Sequence, residues 1–315
     1  MPGDTGFHHL PVMLKEAVDS LDCRPGGTYV DGTLGGGGHA FEILRRILPG
    51  GRLVGIDTDR DALEAARKKL EQFSGSVIFC HDNFGNISGI LAGLKIEKVN
   101  GILLDLGVSS HQLETTERGF SFSRDAELDM RLDQTGGKRA YDLVNGLSEE
   151  ELERIFREYG EERMTRRIAR AIVRTRQEGA IRTTGELADT VSRAVPPQAR
   201  RGRIHPATRV FQALRIAVND ELGSLQRALA DGLELLEKDG RFSVISFHSL
   251  EDRMVKNFFR SQEQGCTCPP DFPFCTCHKQ GRVRVLTRKA VTAGPGELEA
   301  NPRARSARLR TAIRI

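Results

Sequence analysis

Apolar and polar positions along the chain alternate in a strand-then-helix rhythm. Residues 28–30 form a short apolar run closed by Asp31, and a corner with five glycines follows. Phe41, Leu44, Ile47 and Leu48 then recur at the spacing of one helix face, which predicts strand, loop and helix in succession. The rhythm repeats. Residues 52–56 end in Asp57, and residues 61–73 carry acids in the first turn and Lys68 and Lys69 near the end, as a helix dipole favours. Residues 77–80 run into His81, Asp82, Asn83 and Phe84, and residues 101–104 into Asp105 and a polar stretch reaching Ser110. This alternation predicts an α/β fold on a doubly wound parallel sheet. Its first four strands all finish in polar groups, at the rim where such sheets bind ligands.

The rhythm stops after Asp105. Helices are expected from about residue 141 to 215, strand–helix alternation resumes at 241–245, and residues 283–286 and 309–315 alternate as closing strands. The simplest division is a sheet domain over 1–112, a helical insertion over 113–216 and the rest of the sheet domain over 217–315. Between Glu150 and Arg215 there are 15 Arg, no Lys and 9 acids, a balance of +6 that exceeds the +4 of the whole chain. Arg163, Arg166, Arg167, Arg170, Arg174 and Arg176 fall in one expected helix whose apolar stripe is Met164, Ile168, Ala171 and Ile172. The string Thr183, Thr184, Gly185, Glu186 is a capping box, and Pro196 and Pro197 break the chain before Arg200, Arg201 and Arg203. The first part of this region, 149–162, reads as a solvated face with paired charges. The arginines beyond it point to polyphosphate, because the guanidinium fork matches phosphate oxygens, and the expected partner is RNA.

At 315 residues and 38% hydrophobic content, the chain can bury a full α/β core and one further module. No apolar run approaches membrane-spanning length and no basic-then-apolar leader opens the chain, so the expected location is the cytoplasm, with no membrane partner.

The glycine loop sets the chemistry. Glycine lets backbone approach a ligand and adopt positive φ, and the N–H groups at the helix start attract anionic or carbonyl oxygens. A dinucleotide fingerprint would bring pyrophosphate to this turn, but Asp31 would repel it. A carboxylate here suits a ligand with a cationic end, such as S-adenosylmethionine. Asp57 is placed to accept ribose hydroxyls, and Asn83 and Phe84 to hold a purine by hydrogen bonding and stacking. Two rivals stand beside a methyltransferase. A nicotinamide-dependent dehydrogenase would need to tolerate Asp31, and a non-catalytic ribosome-assembly or RNA-binding protein would keep the arginines without the donor loop.

Several strings carry a resemblance: Asp31-Gly32-Thr33 with Gly36-Gly37-Gly38-His39, residues 101–110, Arg118-Gly119-Phe120-Ser121-Phe122, His205-Pro206-Ala207-Thr208-Arg209 and residues 246–253. Together they resemble the bacterial S-adenosylmethionine-dependent methyltransferases that make N4-methylcytidine in the decoding region of 16S ribosomal RNA. The likeness runs from about His9 to Ser306. It implies a seven-stranded Rossmann-like class I methyltransferase sheet with an inserted all-helical domain that recognises RNA. It also implies that Gly37, Gly38 and His39 line the donor, Asp57 holds the ribose, Phe84 sits at the adenine, and Asp105 and Gln112 complete the site. The substrate implied is 16S ribosomal RNA within a small-subunit particle, since the base must be unstacked to react. An insertion used for homodimer contact would show the same helical pattern.

Amino-group methyltransferases commonly place (Asp/Asn)-Pro-Pro-aromatic after the fourth strand, and residues 105–110 lack it. The acceptor for the cytosine amine is then Asp105, or one of Ser109, Ser110 and His248. His248 with Glu251 and Asp252 equally reads as a helix start. Cys266, Cys268, Cys275 and Cys277 form C-x-C-x6-C-x-C in the segment 266–278, a spacing that permits a structural zinc site or four reduced thiols. Relatives in the resembled family often lack this segment.

Overall fold

The computed structural model describes residues 11–109, 112–113, 115–200, 205–264, 268, 273–274, 277 and 280–315, with 199 and 200 in backbone only. The chain forms two compact units, Met1–Gly107 with Gly223–Ile315, and Val108–Leu222.

The first unit runs α1 (Leu14–Leu21), β1 (Thr28–Asp31), α2 (Gly38–Ile47), β2 (Arg52–Asp57), α3 (Arg60–Lys69), β3 (Val77–His81), α4 (Ile87–Gly93) and β4 (Val99–Asp105). The second carries α5 (Ala140–Gly146), α6 (Glu149–Glu158), α7 (Thr165–Glu178), α8 (Thr184–Ala194) and α9 (Ala207–Asn219). After α10 (Glu221–Leu235) the sheet unit is completed by β5 (Leu236–Ser246), α11 (Ser249–Gln264), β6 (Val283–Val285), α12 (Pro295–Ala300) and β7 (Arg308–Arg314).

The seven strands are ordered β3-β2-β1-β4-β5-β7-β6. β1 to β5 are parallel, and β7 runs antiparallel to both β5 and β6. The sheet is therefore Rossmann-like and seven-stranded, as the resemblance implies. Alternation along each strand supplies its two faces. Tyr29, Leu53, Leu103 and Ile245 pack with α1, α2 and α3, while Val30, Val54, Ile102, Leu104 and Val244 pack with α4, α10 and α11. The sheet order reverses between β1 and β4, so Asp31 and Asp105 end adjacent strands at the switch point.

Several boundaries differ from the sequence reading. α2 buries Ala40, Ile43, Leu44 and Ile47, whereas Leu48 is extended ahead of Pro49. β5 begins at Leu236 rather than 241, because Asp239 takes a left-handed turn at φ 65° and the register against β4 shifts across it. In α7 the buried stripe is Thr165, Ile168, Ala169 and Ile172, and Arg163 lies before the helix. Arg176 is not a free cation of that surface. Its guanidinium donates to the carbonyls of Val144 at 2.7 Å and Leu147 at 2.6 Å, closing the C-terminal end of α5.

A second arginine, Arg310, is also held inside the fold. It is buried and forms a bidentate pair with Asp252, Nε to Oδ1 at 2.6 Å and Nη2 to Oδ2 at 3.1 Å. Asp252→Ala is expected to destabilise the protein by about 3–5 kcal/mol, because it strands a buried guanidinium. Urea denaturation measures this, and a loss below about 1 kcal/mol, the ceiling for an exposed pair, would contradict the assignment.

The second unit is helical around one core in which Leu152, Phe156, Ile168, Ile172, Leu187, Val191 and Leu214 are fully buried. α8 opens with the expected capping box, Thr183 accepting from Glu186 N–H and Glu186 from Thr183 N–H. Among the described residues no helix is long and apolar enough to cross a membrane.

Candidate functional site

The site is built where β1, β2, β3 and β4 end. Past Asp31, Thr33 turns back so that its hydroxyl accepts the Asp105 N–H at 2.6 Å, tying the first strand's loop to the fourth strand. Leu34 N–H donates to the Ile56 carbonyl, and Gly35 N–H donates to Asp57 Oδ2 at 2.7 Å. Asp57 Oδ1 accepts from Asp59 N–H at 2.9 Å, so one carboxylate fixes two turns. Gly37, the N-cap of α2, sits at φ 75°, a left-handed conformation that favours glycine. No side chain caps α2, which leaves its first turn without a side-chain acceptor.

At Gly38 the missing side chain serves the chain itself. A Cβ there would lie 2.2 Å from Pro11 Cγ, so the strap Pro11–Val12–Met13 fills the space a side chain would take. His39 is buried and its Nε2–H donates to the Val12 carbonyl at 3.0 Å. Its Nδ1 stands 3.8 Å from Asp105 Oδ2. The Met13 N–H donates to Glu297 Oε1 at 2.6 Å, bringing α12 onto the same strap.

Electrostatics single out two groups. Asp31 is 1% exposed; Oδ1 accepts from Thr33 N–H at 3.2 Å, and Oδ2 is buried with no partner. Asp105 Oδ1 is also buried without a partner. Burial pushes Asp31 up to about 7, with Asp57 adding to the rise. Asp105 is raised well above the usual carboxylate range by burial first, then by Asp31, Glu251 and Glu297. Burial likewise lifts Asp57 to about 6 against the hydrogen bonds from Asp59 and Gly35. Neither Asp31 nor Asp105 pairs with a Lys or Arg among the described residues. Buried carboxylates of this kind attract a cation and repel phosphate.

Phe84 follows β3 and stands beside Gly32, where an added Cβ would lie 3.2 Å from the Phe84 Cβ. Asn83 is engaged locally, its Oδ1 accepting from Gly85 N–H at 2.7 Å. Gly37, Gly38, His39, Asp57, Phe84 and Asp105 thus all stand at strand ends, in the turns after them or at the start of α2 in the first unit.

Three candidates are placed differently. Ser109 and Gln112 belong to the second unit and cap each other, Ser109 N–H donating to Gln112 Oε1 at 2.8 Å and Gln112 N–H to Ser109 Oγ at 3.2 Å. His248 precedes α11, and Glu251, 2% exposed, accepts from Phe247 N–H at 2.8 Å and His248 N–H at 3.3 Å. Its other oxygen is 3.1 Å from His248 Nε2. This is the helix-start arrangement. Ser110, Cys266 and Cys275 lie outside the described residues, and with them the zinc expectation; Cys268 and Cys277 are half-buried. Glu297 was not legible beforehand. It sits 284 residues from its partner Met13, in the first turn of the short α12, with no distinguishing pattern.

Comparison with known proteins gives one family. The profile of the MraW methylase family matches residues 6–315. A protein named ribosomal RNA small subunit methyltransferase H from Syntrophus aciditrophicus is 55% identical over 315 residues, covering 100% of both chains. One of the same name from Syntrophotalea carbinolica is 56% identical over 309 residues, 98% of each chain. Another from Symbiobacterium thermophilum is 51% identical over 309 residues, 98% of this chain and 97% of that one. With the profile spanning nearly every residue and such relatives matching end to end, the chain belongs to the MraW methylase family.

Proposed function

We propose that the protein transfers a methyl group from S-adenosylmethionine to N4 of a cytidine in the decoding region of 16S ribosomal RNA. The observation that carries the donor is the pair of buried carboxylate oxygens, Asp31 Oδ2 and Asp105 Oδ1, that lack any partner. A ligand with an ammonium and a sulfonium offers the missing charge, whereas a dinucleotide pyrophosphate would add to the repulsion. When bound, the donor supplies an activated methyl for in-line displacement.

The chain's own groups do the rest. Gly37, Gly38 and His39 present backbone at the start of α2, and the remaining lone pairs of Asp57 suit ribose hydroxyls. Phe84 offers a ring for the adenine, and Gln112 joins the set through the family resemblance. Asp31 and Asp105 ionise as they take up the cation. Ionised Asp105 is the acceptor that draws on the cytosine amine N–H, freeing the nitrogen lone pair from the ring and later holding the proton. Ser109 is engaged as a cap, and His248 Nε2, though without a hydrogen-bond partner, faces Glu251 at 3.1 Å, whereas Asp105 Oδ1 is a buried carboxylate oxygen with no partner. Calorimetric titration tests the donor assignment: S-adenosylmethionine is expected to bind with one-to-one stoichiometry and NAD to give no heat. The reverse would overturn it.

The relatives' printed names point to ribosomal RNA, and the helical unit carries charge suited to it. On α7, Arg167, Arg170 and Arg174 are exposed and fall within about 60° of one another around the axis, opposite the buried stripe. The first turn of α7 holds Arg166 and Arg167 and no acid, against the helix dipole, an arrangement costing about 0.3–1 kcal/mol per charge. Of the three, Arg170 pairs with Glu149 at 3.4 Å, a surface contact of little strength. Replacing Arg167, Arg170 and Arg174 by Gln is expected to flatten the plot of log affinity for RNA against log salt by about 2–3. An unchanged slope would remove this face from the RNA contact.

A further inference from the structure

Two distant strings of the sequence, 118–122 and 205–209, meet in the helical unit. The Phe122 ring lies 4.6 Å from the His205 imidazole, centroid to centroid, with 35° between planes. On its other flank it meets Phe211 edge-to-face at 4.9 Å. Phe211 is buried, Phe122 half-buried and His205 exposed, so the three rings step from core to solvent.

The imidazole is held by its edge. Nδ1 accepts from Ala207 N–H at 3.2 Å, and Nε2 is 3.5 Å from Ser192 Oγ. With the Phe122 ring packed against it and both nitrogens engaged, the imidazole is exposed yet held in one orientation. A ring so held loses little conformational entropy when something stacks on it. Helix capping alone does not call for an aromatic ring here, since Asn, Asp or Ser accepts the same N–H. Just before it the chain carries Arg200, Arg201 and Arg203. Arginines close in sequence to an exposed aromatic ring are a composition that suits single-stranded RNA, in which cations meet phosphates and a ring meets a base.

We propose that His205, backed by Phe122, is a stacking platform for an unpaired base of the RNA substrate. It extends the RNA-methylating reading and rests on it. Stacking adds affinity that salt does not screen, so the platform has a signature distinct from the arginine face of α7.

The test uses the full-length protein and two opposed substitutions. His205→Asn keeps an acceptor for Ala207 N–H and removes the ring; His205→Tyr keeps a ring and removes that acceptor. Binding of a fluorescein-labelled single-stranded RNA oligonucleotide is followed by anisotropy across a salt series, and circular dichroism checks folding. His205→Asn is expected to weaken binding about 5- to 100-fold at every salt concentration, with an unchanged slope, and His205→Tyr to retain affinity near that of the parent. Equal loss in both variants, retention in Asn alone, or a changed slope would overturn the platform. Titration with S-adenosylmethionine separates the two levels. Donor binding that is intact in the parent and in His205→Asn, with unaltered RNA affinity, sinks the platform alone, whereas a parent that binds no donor sinks the methyltransferase reading itself.

Discussion

Asp105→Asn is expected to raise the dissociation constant for S-adenosylmethionine about tenfold to a hundredfold and, in the same protein, to increase the stability of the unliganded fold. The first effect follows from losing a charge-assisted contact, which contributes about 1.5–3 kcal/mol. The second follows from burial. Asp105 Oδ1 is desolvated with no partner, and Asp31, Glu251 and Glu297 all oppose its charge. An amide of nearly the same volume removes that repulsion. Opposite signs for binding and stability mark a group kept for its ligand, whereas a structural carboxylate would lose both together. Calorimetry and urea denaturation of the same preparation read the two signs.

The pH dependence has a fixed direction. Burial holds Asp31 at about 7 in the folded chain, whereas an Asp in the unfolded chain titrates near about 3.9. Between those values the folded state keeps a proton that the unfolded state has released. The stabilising contribution is therefore fully present below about pH 4 and is lost as pH rises through about 7. Donor affinity moves the other way over the upper part of that range, because only the ionised carboxylate attracts the cation. Asp31→Asn should flatten both profiles.

Gly37→Val is the second large effect expected. Gly37 adopts φ 75° at the N-cap of α2, and an added Cβ would meet Leu70 Cδ1 at 3.3 Å and Ala66 Cβ at 3.4 Å. A β-branched residue resists the left-handed conformation at a cost of about 1–3 kcal/mol, and relief would come by moving the start of α2. That start carries Gly38 against Pro11 and His39 against Val12 and Asp105, so the rim shifts with it. Donor binding should fall at least about tenfold, by the same conversion of strain into affinity. Gly75→Ala is the comparison, because a Cβ there meets nothing within 4 Å and no positive φ opposes it. Equal donor affinity in the two variants would show that the loop tolerates displacement.

Much of this arrangement was legible in the sequence because it is local. Short apolar runs marked the first four strands, and the polar residues that close them marked their ends. The capping box at Thr183 and the helix start at Glu251 could be read from spacing alone. Long-range partnerships could not. Nothing near Arg310 in sequence announces Asp252, 58 residues away, and nothing near Arg176 announces the carbonyls of Val144 and Leu147. Charge counting treats Arg176 as a surface cation, although the fold uses it to close a helix end. The strap over Gly38 was equally hidden. A glycine marks where a side chain is forbidden but does not say whether a ligand or another stretch of chain fills the space.

If an acid-lined rim of one parallel sheet delivers a methyl group from S-adenosylmethionine to a cytosine amine, the transfer itself is measurable. The most direct measurement is nucleoside mass spectrometry of 16S ribosomal RNA from small ribosomal subunits lacking the modification, after incubation with the protein and S-adenosylmethionine bearing a deuterated methyl. N4-methylcytidine carrying the label is expected in the decoding region, and none with Asp105→Asn at donor concentrations that saturate the parent. Label in another nucleoside, or equal labelling by the variant, would contradict it.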